Sequence, residues 1–168
     1  MTQNKLYFSQ LENMLDVLEE EPNAEAIIKG STAYPKIRGI MRMYQTMRGV
    51  LVATEVVGLP YSSSLCEYGI FGFHIHKGEH CTGNESDPFA DVKMHYNPYS
   101  CEHPNHKGDL PSLFGNRGYA LSVFVTERFH VEEVIGKTVI IHSKPDDFGT
   151  QPSGNAGEKI ACGEIKKL

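Results

Sequence analysis

The residues in this sequence best suited to chemistry are imidazoles set at short intervals. His74 and His76 fall in Gly-Phe-His-Ile-His-Lys-Gly (Gly72–Gly78), His95 opens His-Tyr-Asn-Pro, and His103 and His106 precede Asp109 in His-Pro-Asn-His-Lys-Gly-Asp. His142 lies further on, towards the C-terminus. Residues two apart on a strand share a face, so His74 and His76 would form one wall, with Phe73 and Ile75 turned towards a core. Two imidazoles and a carboxylate at His103, His106 and Asp109 suit zinc, and Gly108 and the prolines let the backbone wrap a small ion. Each cluster alone competes with a plain reading: an unliganded surface His-x-His pair, or a polar loop with chance histidines. Taken together, six histidines beside one aspartate exceed what a single tetrahedral ion needs. Two ions sharing one histidine use the set fully, with four histidines on one ion and three histidines and the aspartate on the other.

These side chains need a frame. The 168 residues suffice for one domain with a substantial core. A net charge of −5 and a pI near 5.9 argue against nucleic acid as a partner, which would call for a basic stripe. No apolar run reaches membrane-spanning length. Met1 to Leu15 lack the basic start, apolar middle and cleavage site of a secretory signal. A cytoplasmic protein is therefore expected, with a processed, secreted form as the alternative.

Leu6, Phe8, Leu11, Leu15 and Leu18 recur at helical steps until Pro22, which predicts a helical extension over residues 1–22. The body, 23–168, reads differently. Ala24 to Lys29, Lys36 to Met43, Gly49 to Val57, Tyr68 to His76, Ile135 to His142 and Lys159 to Ile165 are short apolar or alternating runs closed by Gly and Pro. Leu110 to Phe114, Gly115 to Gly118 and Tyr119 to Val125 read as strand, tight turn, strand. The expectation is an all-β, Greek-key sandwich or flattened barrel of about eight antiparallel strands. Between Ser86 and Lys107 runs a long irregular connection, broken only by a short strand at Met94 to Tyr96. Such loops are usually functional, and here metal would supply the order that packing does not.

As an ordered set, these motifs resemble the copper/zinc superoxide dismutase family. They are Gly-Phe-His74-x-His76, His95-Tyr-Asn-Pro, His103…His106-x-Gly-Asp109-Leu-Pro, Val-Ile-Ile-His142-x-x-x-Asp146-Asp147 and Gly154-Asn-Ala-Gly-x-Lys159-Ile-Ala-Cys162-Gly. The resemblance spans about Ala24 to Ile165 and is nearest to a bacterial branch with a compact zinc loop. It implies dismutation of superoxide by a copper ion that cycles between two oxidation states, with a zinc ion in a structural role. His74, His76, His95 and His142 match the copper ligands. His95, which also matches the bridging and proton-carrying imidazole, joins His103, His106 and Asp109 as zinc ligands. Asp146 matches the carboxylate that links a copper histidine to a zinc histidine. Cys81 and Cys162 match a disulfide. The resemblance also points to a homodimer, whose surface differs between branches of the family.

The chain departs from the family pattern at several positions. Lys159 stands where the family carries an arginine that attracts superoxide. It keeps the charge but loses the planar fork, which predicts retained but lower activity. Glu158 beside it adds a charge unhelpful to an anion, and Ser153 takes the place of a threonine. The His103–His106 spacing and the loop from Ser143 to Gly157 are short. Cys66 and Cys101 are read either as a second bridge or as free thiols, and His80 and His130 match no ligand. The runner-up to the enzyme is a related zinc or copper carrier with little turnover. A purely structural sandwich leaves the ligand set unexplained.

Overall fold

Alternating apolar residues become the inner face of one curled antiparallel sheet. The computed structural model describes residues 14–64 and 69–168. Seven strands run in the order β5-β8-β9-β1-β2-β3-β7: β1 (Ala24–Gly30), β2 (Arg38–Thr46), β3 (Gly49–Val57), β5 (Phe73–His76), β7 (Tyr119–Thr126), β8 (Thr138–His142) and β9 (Lys159–Lys167). A second sheet pairs β4 (Ile70–Phe71) with β6 (Leu113–Phe114). Ala24, Ala26 and Ile28 of β1, Met41 and Met43 of β2, and Val50, Val52 and Val56 of β3 face one core with Phe73, Ile75, Val139, Ile141 and Ile165. The all-β expectation holds, with nine strands among the described residues in place of about eight.

Two expected elements differ. Tyr68 to His76 is not one strand: Phe71 pairs with Leu113, whereas Phe73 pairs with Ile141 in the large sheet. Gly72 makes the break, because its N–H goes to the Lys144 carbonyl and its own carbonyl accepts from the His142 N–H. The expected hairpin over Leu110 to Val125 is also not formed. β6 joins β4, and β7 joins β3 in register from Val50–Thr126 to Val57–Tyr119, leaving only an isolated Asn116–Tyr119 bridge at the turn. A turn signal fixes local reversal but not the partner.

Of the expected N-terminal helix, residues 14–19 are helical and the earlier part lies outside the described residues. Cys66 lies outside them as well, and Cys101 is exposed and free. A short helix, Val131–Val134, precedes β8, with His130 at its N-cap accepting from the Glu133 N–H and the Glu133 carboxylate accepting from the His130 N–H.

Candidate metal centre

The sheet presents its site on the face away from the core. On β5, Phe73 and Ile75 pack inward, so His74 and His76 point outward. His142 ends β8 on the same outer face as Ile140, while Val139 and Ile141 go inward. The free edge of β5 is then used by the long connection. Tyr96 donates its N–H to the Ile75 carbonyl and the Ile75 N–H donates to Gly108, at 2.8 Å each. Isolated antiparallel bridges set His95 opposite His76 and Asp109 opposite His74. Gly108 is needed here, since a Cβ would stand 2.2 Å from the Ile75 oxygen. The edge strand thus recruits two loop segments, each carrying ligand-type side chains.

The result is two groups of four buried residues: His74, His76, His95 and His142, then His95, His103, His106 and Asp109. His95 belongs to both. In each group the facing ligand-type atoms lie within 4.8 Å of one another. His76 Nε2 is 3.4 Å from His142 Nε2, and His106 Nδ1 is 3.3 Å from His95 Nδ1. A tetrahedral ion with metal–nitrogen bonds of about 2.0–2.1 Å has ligand–ligand edges of roughly 3.3–3.4 Å. These two imidazole pairs already sit at that spacing.

Four of the six rings are turned by a bond on one nitrogen. His76 Nδ1 donates to the Lys93 carbonyl at 2.8 Å and His142 Nδ1 to the Gly157 carbonyl at 3.2 Å, freeing Nε2 in both. Asp146 reaches across the two groups: Oδ2 is 2.7 Å from His74 Nε2 and Oδ1 is 2.9 Å from His103 Nε2. That leaves three buried ring nitrogens without a hydrogen bond, His74 Nδ1, His95 Nε2 and His103 Nδ1, the last facing Asp109 Oδ2 at 3.1 Å. A buried polar atom without a partner costs about 1–3 kcal/mol. All three belong to imidazoles of the two groups, so bound ions would satisfy them. The residues present therefore fit two metal ions.

Electrostatics favours the neutral, ligating form of His74, His76, His106 and His142. Burial lowers His142 to about 3, aided by the charges of His74, His95 and Lys159. Burial holds His76 well below its ordinary value and also lowers His74, outweighing the Asp146 contact that would raise it. His106 is lowered by burial as well, against the pull of Asp109. Burial would raise Asp146, but hydrogen bonds from His74, the Phe148 N–H and His103 outweigh it and keep the carboxyl well below its usual range. Asp109 is lowered in the same way by His95 and the charges around it. Neutral imidazoles beside ionised carboxylates are the protonation state that metals require.

Several supporting residues escaped the sequence reading. Gln151 braces His103 both ways, its Oε1 accepting from the His103 N–H at 2.9 Å and its Nε2 donating to the His103 carbonyl at 2.7 Å. Arg128 Nη1 donates to the carbonyls of Pro104 and His106 at 2.8 Å each. Asp87 pairs with Lys159. No spacing signal marks them, because each acts from a distant segment. Gly154 has φ +66°, and a Cβ there would meet Asp146 Oδ1 at 1.9 Å and His103 Nε2 at 2.6 Å. Gly154→Ala is therefore expected to push Asp146 off His103. Loss of such an orienting partner typically costs 10–100-fold in metal affinity, so zinc retention against a competing chelator should drop by about that factor. Affinity equal to the natural protein's would show that Asp146 does not hold the ring.

Cys81 and Cys162 are joined in a disulfide. His80 is exposed, 3.7 Å from Glu164. Among the described residues, no helix is long and apolar enough to cross a membrane.

Comparison with known proteins agrees with this geometry. A profile of copper/zinc superoxide dismutases matches residues 37–165. "Superoxide dismutase [Cu-Zn] 2" of Aquifex aeolicus is 35% identical over 146 residues, covering 78% of this chain and 80% of that protein. "Superoxide dismutase [Cu-Zn]" of Photobacterium leiognathi is 30% identical over 142 residues, 76% of this chain and 78% of that protein. The corresponding protein of Onchocerca volvulus is 28% identical over 165 residues, covering 85% of this chain and 94% of its own length.

Proposed function

This chain belongs to the copper/zinc superoxide dismutase family, and from that membership we propose which residues carry the activity. The reaction is the dismutation of two superoxide anions to oxygen and hydrogen peroxide. His74, His76, His95 and His142 hold copper, and His95, His103, His106 and Asp109 hold zinc. The observation that carries this assignment is the trio of buried ring nitrogens without a hydrogen bond on His74, His95 and His103, set among the two groups of ligand-type atoms. Copper supplies a one-electron redox couple, and zinc a redox-silent tie for the loop.

The chain's own residues do the rest. His95 places Nδ1 2.8 Å from Asp109 Oδ1, inside the zinc group, and turns its unpartnered Nε2 to the other side. It is therefore placed to take up a proton at Nε2 and pass it to the reduced anion while Nδ1 stays engaged. Asp146 fixes His74 and His103 from behind, so the two halves keep one geometry. The catalytic domain is assigned to 23–168, with 1–22 as an extension outside it; the family match over 37–165 falls inside that domain, and β1 pairs with β2 and β9. The Cys81–Cys162 disulfide fits an oxidising compartment better than a reducing cytosol, which favours a periplasmic or extracellular setting over a cytoplasmic one.

The test is superoxide decay on protein reconstituted with copper and zinc, with both metals determined on the same sample. Superoxide dismutases are counted among enzymes at the diffusional ceiling of about 10⁸–10⁹ M⁻¹s⁻¹. Strongly accelerated decay with stoichiometric metals is the expected result. Stoichiometric copper and zinc without accelerated decay would overturn the enzymatic reading and leave a metal carrier.

A further inference from the structure

Lys159 is the cation expected to draw superoxide towards copper, yet it is not a free charge. Its Nζ is paired with the Asp87 carboxylate and donates to the Phe89 carbonyl at 2.9 Å. The lysine side chain is 18% exposed and the aspartate 38%, so the pair is only partly screened by water. Lys159 lies directly opposite His142 in the β8–β9 ladder, on the same face. Directly opposed residues have Cβ atoms about 4.5–5.5 Å apart, so whatever charge stands at Lys159 acts on the approach to the His142 side. Asp87 is itself held in place: its Oδ1 accepts from the Phe89 N–H at 3.0 Å, and its carbonyl accepts from the Asn84 and Ala90 N–H groups. The opposite charge therefore belongs to the folded loop and does not depend on a chance rotamer.

We propose that Asp87 is a positioning residue that sets the anion affinity of the copper side by neutralising Lys159. A contact ion pair presents a dipole to an approaching anion, and its field falls off faster than that of a single charge. Glu158, the exposed neighbour of Lys159 in the chain, adds a further negative charge. The position thus keeps a cation in the sequence while delivering little net attraction to small monovalent anions. The lysine instead ties the loop carrying Asp87 and Phe89 to β9, close to the Cys81–Cys162 bond.

This inference rests on the reading of the first group as the copper site. The test is azide binding to copper- and zinc-loaded protein, followed by the visible absorption of copper, for the natural chain, Asp87→Asn, Lys159→Gln and the double variant. Asn retains the oxygen that accepts from Phe89, so the loop keeps its turn. Removing the carboxylate should tighten azide binding by about fivefold and make superoxide decay faster at low salt and more sensitive to added salt, the signature of electrostatic steering. In the Lys159→Gln background the same change should move azide affinity by less than about twofold, and Lys159→Gln alone should weaken it by no more than about twofold, since a neutralised cation has little to lose. Unchanged azide affinity in Asp87→Asn would overturn the inference. So would an equal shift in both backgrounds, or about a tenfold loss in Lys159→Gln alone. Protein that takes up no copper would overturn the reading of the site and this inference with it, whereas copper-loaded protein with unmoved azide affinity overturns this inference alone.

Discussion

His95→Ala is expected to abolish copper binding and zinc binding together. His95 is the one side chain common to the two groups, and its two ring nitrogens serve them separately. Removing it takes one of four ligand-type atoms from each group and leaves Asp109 Oδ1 without its 2.8 Å partner in a buried position. Residues that only orient a ligand are worth 10–100-fold in affinity, so loss of a ligand from each site should exceed about a hundredfold for both metals. His76→Ala supplies the contrast. His76 sits in the first group alone, held by the Lys93 carbonyl. Its removal should cost copper while leaving zinc close to the natural affinity. Chelator competition with metal analysis on both variants reads this directly. Zinc held at full affinity by His95→Ala would show that His95 does not bridge.

Breaking the Cys81–Cys162 disulfide should produce the largest loss of stability. The bond spans 81 residues of sequence and closes the long connection onto β9. In the chain-entropy model, a loop of that size is worth about 4.5 kcal/mol. Packing adds to this, because both cysteines lie against Phe89, Val92 and Ile140 in a cluster separate from the main core. For a domain of this size, each kcal/mol shifts Tm by about 2–4 °C, so Cys81→Ser should melt roughly 9–18 °C lower. The same segment carries the Lys93 carbonyl that orients His76 and the Asp87 carboxylate that holds Lys159. Loss of the bond should therefore also loosen copper while sparing the zinc ligands. Thermal unfolding of the natural chain with and without reductant, beside Cys81→Ser, provides the measurement. Superimposable curves would mean that packing of the loop suffices without the bond.

The two groups of ligand-type side chains were legible in the sequence because their spacing follows short-range rules. Alternation along Phe73–His76 places two imidazoles on one face whatever the rest of the chain does, and the histidines of the connection stand out by residue type. The strands β1 to β3 were legible for the same reason, since their inward residues repeat every second position. What supports the ligands was not legible. Gln151, Arg128 and Asp87 meet the site from 48, 22 and 72 residues away along the chain. No local pattern encodes such a meeting.

Lys159 shows the boundary between the two kinds of information. The sequence by itself determined its charge, its place after the Gly-rich loop and its family alignment with an arginine. Strict alternation through Cys162 would put Lys159 on the core face with Ala161. The β8–β9 ladder instead skips a residue: Ile141 pairs with Ala161, and His142 with Lys159. Ile160 and Ala161 both turn inward, and the lysine emerges beside His142. A bulge of this kind inserts one unpaired residue and re-aims the side chains beyond it. It arises from the fit of two strands to one another, so only the tertiary structure decided where this cation points and that a carboxylate would be waiting for it.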